Sequence, residues 1–226
     1  MKEFNPRLDT LPAAQLRLWF ELSAVPEEFV LYGGTALALH LGHRTSIDFD
    51  FFSQRSLDLA SLQAGIPFLA DARIIQREKN TLSAIVDRGE PVKISFFGLP
   101  KLPRLAAPHV VVENKLKIAS LIDLAGTKVS VVQVRAESKD YLDIDAVMRL
   151  GNITIPTALT AAQTLYGPSF NPEITLKALS FFDDGNLHEL PDDLKQRLVV
   201  AAREVDLDHL PNLGREFRLS DNGNEL

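Results

Sequence analysis

Cysteine is absent from the sequence. Its absence excludes disulfide bonds, cysteine-ligated zinc and thiol catalysis, and it is typical of proteins in a reducing compartment. The N-terminal stretch MKEFNPRLDT contains no apolar segment, so it does not predict a secretory signal. No apolar run approaches the roughly 18 residues that a membrane-spanning helix needs. We therefore expect a cytoplasmic protein.

An overall basic charge is also missing, since the formal net charge is −6. Proteins that bind nucleic acid through bulk charge are usually basic, so any contact with RNA must use a local surface. Basic residues outnumber acids between positions 93 and 139, which makes this stretch a candidate phosphate- or RNA-facing surface; a solvated face is the alternative. These basic residues are Lys93, Lys101, Arg104, Lys115, Lys117, Lys128, Arg135 and Lys139.

Several familiar catalytic signatures are missing as well. The chain has no P-loop and no Gly-x-Ser-x-Gly motif, and its five histidines show no metal-ligand spacing. With 226 residues and a hydrophobic content of 46%, the chain can bury one large core or a core with a helical annex.

The hydrophobic periodicity changes along the chain and predicts an α+β fold in two parts. Residues 1–115 are expected to form a core with a mixed sheet and flanking helices. Residues 116–226 are expected to form a helical C-terminal part packed on that core, ending in a frayed polar tail at 219–226. Strands are predicted at 28–32, 47–52, 72–78, 82–87, 92–98 and 109–113, and helices at 12–24, 35–41, 55–62, 120–135, 139–150, 157–166, 172–182 and 191–205.

Two aspartates stand in the most apolar run of the sequence, IDFDFF at 47–52. Residues i and i+2 of a strand share a face, so Asp48 and Asp50 lie side by side while Phe49 and Phe51 face the core. Two carboxylates this close repel each other unless they share a proton or bind a cation, and Mg²⁺ suits oxygen ligands. A solvated edge strand is the alternative.

A Gly-Gly-Thr turn precedes the two aspartates and favours the functional interpretation. Gly33 and Gly34 let the backbone approach a ligand closely. The helix that follows offers free N–H groups to a phosphate, and the Thr35 hydroxyl adds a donor. A phosphate-binding turn before a metal-binding acid pair outlines a nucleotide site.

These residues carry a resemblance to a known family. The stretch GGTALALHLGHRTSIDFDFF resembles the signature of the AbiEii/AbiGii toxin family of nucleotidyltransferases, which share a polymerase-β-like fold. The segments VKISFF, DLAGTKV, SKDYLDIDAV and LKALSFFDDGNL follow in matching order. The resemblance implies a nucleotidyltransferase-like mixed sheet.

The resemblance also implies roles for individual residues. Asp48 and Asp50 would bind Mg²⁺ and act in catalysis together with Lys128 and Asp143. The nucleotide would be bound by a larger set, which the resemblance places at Gly33, Gly34, Thr35, Arg44, Ser46, Lys93, Asp123 and Lys139. Asp140 matches the same motif as Lys139 and Asp143. From the residues alone, Arg44 equally suits an ion pair with an aspartate, and Lys139 with Asp143 suits an i,i+4 pair on a helix.

One position departs from the pattern of the fold. Ser95 stands where many nucleotidyltransferases have the carboxylate that serves as general base. The expected function is Mg²⁺-dependent transfer of an NMP from an NTP to an acceptor. The resemblance implies that the acceptor is RNA, notably a tRNA 3′ end, and that the protein is a toxin with a cognate antitoxin or a phage-defence protein. Modification of a small molecule such as an antibiotic, or nucleotide binding without catalysis, are the alternatives.

Overall fold

The computed structural model describes residues 3–216, and the polar tail at 219–226 lies outside this range. The described part contains one mixed sheet of eight strands in the order β1-β7-β8-β2-β3-β6-β5-β4. Their bounds are β1 Glu3–Phe4, β2 Val30–Tyr32, β3 Asp48–Ser53, β4 Arg73–Glu78, β5 Thr81–Asp87, β6 Pro91–Gly98, β7 His109–Val111 and β8 Lys117–Ile118. The sheet confirms the predicted α+β class.

In the described residues, three α-helices lie between strands in the first half of the chain, and six follow the last strand. They are α1 Ala13–Trp19, α2 Gly33–Leu41, α3 Leu59–Gly65, α4 Leu121–Val131, α5 Ser138–Arg149, α6 Ile155–Tyr166, α7 Pro172–Ala178, α8 Asp192–Arg203 and α9 Leu213–Glu216. Within residues 3–216, every helix is too short or too polar to cross a membrane.

The chain divides into two compact units. Unit 1 contains Met1–Pro103 with Ala107–Ser120, and unit 2 contains Arg104–Ala106 with Leu121–Leu226. The division in the structure therefore follows Ser120, whereas the sequence interpretation placed it after residue 115. The short segment Arg104–Ala106 is the exception to chain order.

Unit 1 is built around the central strands β3 and β6, which run parallel. The side chains of Phe49, Phe51 and Phe96 are fully buried, and the rings of Phe51 and Phe96 stack with centroids 5.4 Å apart. Burial of large aromatic side chains is the strongest hydrophobic contribution available to a core. This apolar face fixes the register of β3 and leaves its other face to the aspartates.

Unit 2 depends on close packing between α4 and α6. A side chain at Gly126 would meet the Cβ of Ala161 at 3.0 Å and a methyl group of Leu165 at 2.9 Å. The helix α5 is joined to α8 by Arg197, which donates to both carboxylate oxygens of Asp145 at 2.7 and 3.0 Å. Small residues and one bidentate ion pair thus organise the helical unit.

Some element boundaries differ from the sequence interpretation. Helix α2 begins at Gly33 rather than at Thr35. Helix α3 begins later than predicted, and its N-cap is Asp58, whose carboxylate accepts from two backbone amides of the first turn. The two-residue strands β1 and β8, which the sequence did not predict, flank β7 in the sheet. Two-residue strands carry too little periodicity to predict.

A half-buried histidine holds the region where β1 meets α2. The Nε2 of His40 donates to the carbonyl oxygen of Ala119 at 2.9 Å, and its ring packs on Phe4 and His109 at 4.5 and 5.2 Å. Burial lowers the pKa of His40 to about 4; the bond to Ala119 opposes this, and the neighbouring His109 adds to it. His40 is therefore neutral in the folded protein at pH 7.

This histidine predicts a loss of stability in mild acid. The unfolded imidazole gains its proton as the pH falls below about 6.5, whereas the folded one resists until about pH 4. We expect protonation of His40 in the unfolded state to lower the unfolding free energy by up to about 3 kcal/mol between pH 6.5 and pH 4. Below pH 4, His40 should cause no further loss. Urea denaturation between pH 7 and 4 measures the slope.

His40→Gln is the matched variant, because its amide keeps a donor for Ala119 and cannot be protonated. It should lose most of this slope, while His188→Gln at an exposed position should keep it. An unchanged slope in His40→Gln contradicts the assignment.

Candidate nucleotide and metal site

The two aspartates share the half-buried face of β3. Phe49 and Phe51 are fully buried on the opposite face, whereas Asp48 and Asp50 keep part of their surface exposed. About a third of the Asp48 side chain, 34%, is accessible. Both carboxylates are therefore held next to each other without being sealed in the core.

The glycine turn lies directly against Asp50. Gly33 has a φ of 74°, in the left-handed region that favours glycine, and a Cβ there would come 2.7 Å from Oδ2 of Asp50. A Cβ on Gly34 would meet the Arg44 guanidinium and would lie 2.9 Å from Oγ of Ser46. The lack of two side chains thus brings Arg44, Ser46 and Asp50 together around the turn.

Thr35 has a different contact from the one that the sequence suggested. Its side chain is fully buried, and its hydroxyl donates to the backbone carbonyl of Asp48. Thr35 therefore joins the first turn of α2 to the acid strand, and its hydroxyl is engaged by protein rather than directed to a phosphate.

The neighbouring strand β6 places a cation and a hydroxyl beside the acids. Lys93 pairs in register with Asp48, and its Nζ lies 3.9 Å from Oδ2 of Asp48. Ser95 pairs in register with Asp50 and is buried, where its Oγ accepts a hydrogen bond of 3.1 Å from Ser83. A serine thus occupies the position next to Asp50 on β6.

The donor set fits one hard cation with a partly open coordination shell. Two carboxylates and nearby solvent are what Mg²⁺ uses when it also binds substrate phosphates. Residues 3–216 contain no cluster of three or more Asp, Glu, His or Cys that could hold a metal. A bound Mg²⁺ at Asp48 and Asp50 would complete its shell with water or phosphate oxygens.

Unit 2 contains a second group of residues named by the sequence, and they form a buried charge cluster. The Nζ of Lys128 lies 2.7 Å from Oδ1 of Asp140 and 2.6 Å from Oδ2 of Asp143. Both aspartates are fully buried. Arg135 donates to both oxygens of Asp140 at 2.7 and 3.0 Å.

The charge cluster keeps Asp140 ionised. Burial by itself raises the pKa of Asp140, but the hydrogen bond from Arg135 and the charge of Lys128 together hold that pKa below its ordinary value. Sequence reasoning missed Arg135 as a partner, because Arg135 lies beyond the end of α4 and no helical spacing relates it to Asp140.

Asp123 and Lys139 are placed outside this cluster. Both carboxylate oxygens of Asp123 accept from backbone amides, those of Leu105 at 2.9 Å and Ala106 at 3.2 Å. Lys139 pairs with Glu137 at 2.7 Å rather than with Asp143. These contacts favour a local structural role for Asp123 and a solvated ion pair for Lys139.

The basic stretch between 93 and 139 does not form one free surface. Five of its eight members have contacts within their own unit, which leaves Lys101, Arg104 and Lys115 as its more available charges. The engaged members are Lys93, Lys117, Lys128, Arg135 and Lys139.

Similar solved structures support the fold. A protein of H. pylori provisionally assigned as a nucleotidyltransferase superposes with a TM-score of 0.56 at 17% identity, covering 84% of this chain and 92% of its own. The MenT4 nucleotidyltransferase toxin of Mycobacterium tuberculosis H37Rv gives a TM-score of 0.58 at 14% identity, covering 86% and 83%. At such identities the likeness establishes a shared nucleotidyltransferase fold.

Sequence comparison is more specific. An uncharacterised protein of Aquifex aeolicus strain VF5, aq_aa25, is 30% identical over 170 residues, or 74% of this chain and 80% of the relative. The family described as nucleotidyl transferase AbiEii toxin, type IV toxin–antitoxin system, matches residues 17–212. That range includes the glycine turn, the acid pair and the charge cluster of unit 2, so the chain belongs to the AbiEii family of nucleotidyltransferase toxins.

Proposed function

We propose that this protein transfers an NMP from an NTP to an acceptor hydroxyl, with Asp48 and Asp50 holding Mg²⁺ and the turn at Gly33–Gly34 receiving the triphosphate. The observation that carries the proposal is the contact between the turn and the acid strand, because a Cβ on Gly33 would lie 2.7 Å from Oδ2 of Asp50. A phosphate at the turn would be within reach of a cation on the two acids.

The residues around the turn can bind and orient a triphosphate. The first N–H groups of α2 point to its N-terminus, where the helix dipole favours negative charge. Arg44 lies against Gly34, and its planar fork can donate to two phosphate oxygens. When bound, Mg²⁺ would neutralise the charge of the phosphates as pyrophosphate departs. The remaining work of the protein is positioning.

Ser95 is not a base for the acceptor proton, because its hydroxyl is hydrogen-bonded to Ser83 and a serine hydroxyl is a poor base at pH 7. As the acceptor oxygen bonds to the α-phosphorus and pyrophosphate leaves, the acceptor proton would pass to solvent or to a phosphate oxygen. The proposed transfer uses no general base from this chain.

For the acceptor we propose RNA, in particular a tRNA 3′ end, and for the cell a toxic or phage-defence activity that a cognate antitoxin restrains. The family description, a toxin of a type IV toxin–antitoxin system, supports this role. MenT4, which shares the fold, is likewise described as a nucleotidyltransferase toxin.

Nucleotide binding without catalysis is the second candidate. The observation that favours it is Ser95, since a buried, hydrogen-bonded hydroxyl stands beside Asp50 where a carboxylate would complete a three-acid site. Such a protein would bind NTP and transfer nothing to any acceptor.

The direct test incubates the protein with labelled NTPs, Mg²⁺ and total RNA. Wild type should label RNA. The double variant Asp48→Ala/Asp50→Ala should label it more slowly by a factor of about 10³ or more, because the cation and its charge are lost. Equal labelling by both proteins contradicts the metal assignment. Label on a small-molecule acceptor instead of RNA favours antibiotic-type modification, and NTP binding without transfer favours the second candidate.

The glycine turn gives a further prediction. Gly34→Ala should displace the flexible end of Arg44 at little cost in stability and lower transfer roughly 10- to 100-fold, because misplaced phosphates react poorly. Gly33→Ala should lower transfer as well and should also lower the unfolding free energy by about 1–2 kcal/mol, since it forces an alanine into a left-handed conformation.

Gly65→Ala is the matched control, because its Cβ would meet nothing within 4 Å. It should leave both transfer and stability close to wild type. Steady-state kinetics with the three folded variants decides the matter, and full transfer activity in Gly34→Ala would contradict the phosphate-binding role of the turn.

Lys128 predicts a large effect on stability. Lys128→Met leaves Asp140 and Asp143 buried with one cation fewer, which should cost about 3–5 kcal/mol of unfolding free energy. Lys139→Met, which removes the same charge from a half-exposed pair, should cost less than about 1 kcal/mol. Chemical denaturation measures both. A Lys128→Met protein of wild-type stability that has lost transfer would instead identify Lys128 as a catalytic residue.

A further inference from the structure

We propose that the acceptor RNA lies across the face of the sheet that carries the acid pair. Its path runs from Asp48 over β6 and β5 to the strand β4, and Lys93 and Arg73 contact its phosphates. This inference rests on the proposed nucleotidyltransferase function and deepens it, because it names the surface that receives the acceptor. The four strands all belong to unit 1.

The strand register places one row of side chains beside the acid pair. Asp48 on β3 pairs with Lys93 on β6. Lys93 pairs in turn with Ile85 on β5, which pairs with Arg73 on β4. Directly paired residues of neighbouring strands project to the same face of a sheet, so these four side chains form one row. Strands lie roughly 4.8 Å apart, which makes the row about 14 Å long.

The row is accessible along its length. The Lys93 side chain is 42% exposed, Ile85 is half-buried and Arg73 is exposed. In the described residues β4 is the last strand of the sheet, and all of its residues except Ile74 are exposed. An extended acceptor that starts at Asp48 can therefore follow the row and continue past this edge.

The charges of the row suit a polyanion. Within residues 3–216, no hydrogen bond or ion pair engages the Arg73 guanidinium, and its planar fork matches phosphate oxygens. Lys93 contributes a second positive charge, with its Nζ 3.9 Å from Oδ2 of Asp48. A small acceptor that reacts beside Asp48 would not extend to Arg73, whereas a nucleic-acid strand that crosses the sheet would contact both cations.

The strand β4 also provides a matched control, because its second arginine lies on the other face. Arg77 pairs with Leu82, which is fully buried. The Arg77 guanidinium donates to Oε1 of Gln63 on α3 at 2.7 Å. Arg73 and Arg77 thus carry the same charge on one exposed strand but on opposite faces of the sheet.

Binding of a short, labelled single-stranded RNA tests the inference without turnover. Fluorescence anisotropy at several salt concentrations, with NTP left out, gives the affinity and its salt dependence. Arg73→Met should weaken binding roughly three- to tenfold at low salt and make the slope of log affinity against log salt shallower by about 0.7, because one phosphate contact is lost. Lys93→Met/Arg73→Met should change the slope by about 1.4.

Two further variants separate a phosphate contact from a general effect of charge. Arg73→Lys keeps the positive charge and should keep the wild-type slope, and Arg77→Met should bind RNA as wild type does. In the transfer reaction Arg73→Met should raise the KM for RNA. Its affinity for a non-transferable NTP analogue should equal that of wild type, because Arg73 lies about 14 Å from Asp48 across the sheet.

The inference is overturned if wild type does not bind RNA, if Arg73→Met keeps the wild-type affinity and slope, or if Arg73→Met and Arg77→Met lose the same amount. Failure of the proposed function is distinguishable, because RNA binding would then depend on Arg73 as described while no acceptor receives an NMP. Conversely, transfer to RNA with an unchanged KM in Arg73→Met would retain the function and reject this surface.

Discussion

The close approach of the glycine turn to the acid strand is the constraint on which the site depends. Gly33 lies where any side chain would collide with the Asp50 carboxylate, and Gly34 lies where one would collide with Arg44 and Ser46. The Thr35 hydroxyl joins the same turn to the Asp48 carbonyl. Three consecutive residues thus set the distance between a helix N-terminus and two carboxylates, and a triphosphate with its cation requires that distance to be short.

The apolar side of the sheet makes this constraint possible. Phe49, Phe51 and Phe96 are fully buried, so β3 cannot slip by one residue without exposing them and burying the aspartates. The free energy gained by burying these aromatic side chains therefore keeps the two carboxylates side by side despite their repulsion. Lys93, opposite Asp48 on β6, relieves part of their repulsion before any metal binds. Hydrophobic packing on one face of β3 thus places the two carboxylates together on its other face.

Unit 2 buries its charged cluster and pairs it internally, whereas the carboxylates of β3 in unit 1 are partly exposed. Lys128, Asp140 and Asp143 are buried together, and Arg135 completes the pairing of Asp140. A buried ion cluster adds little net stability but is costly to break, so it favours one arrangement of α4 and α5 over others. The family resemblance implies a catalytic role for Lys128 and Asp143, whereas their contacts are sufficient to explain them as the organising centre of the helical unit.

Much of the fold was predictable from the sequence, because strong periodicity marks its elements. The alternation in IDFDFF gave β3 and the shared face of its aspartates, and the runs of 82–87 and 92–98 gave β5 and β6. The two-residue strands β1 and β8 and the cap at Asp58 were not predictable, since they depend on tertiary pairing or on one local hydrogen bond.

The site was predictable in its residue types and less so in its contacts. Periodicity put Lys93 and Ser95 on one face of β6, but only the register shows that they stand opposite Asp48 and Asp50. The Thr35 hydroxyl looked available to phosphate, and the strand after it supplied a nearer acceptor. Asp123, Lys139 and Arg135 have partners that no helical spacing indicates. Asp123 accepts from a loop amide, Lys139 pairs with the residue before α5, and Arg135, which precedes α5, pairs with Asp140 in the first turn of that helix.

The central claim is that the turn and the acid pair form one site, and thermodynamic coupling tests it most directly. Calorimetry would measure the affinity for a non-transferable NTP analogue with and without Mg²⁺, in wild type and in Asp48→Asn/Asp50→Asn. If Mg²⁺ raises the affinity for the nucleotide, the nucleotide must raise the affinity for Mg²⁺ by the same factor. The account predicts that Mg²⁺ raises nucleotide affinity about tenfold or more in wild type and that this gain disappears in the variant. The same gain in both proteins would contradict it.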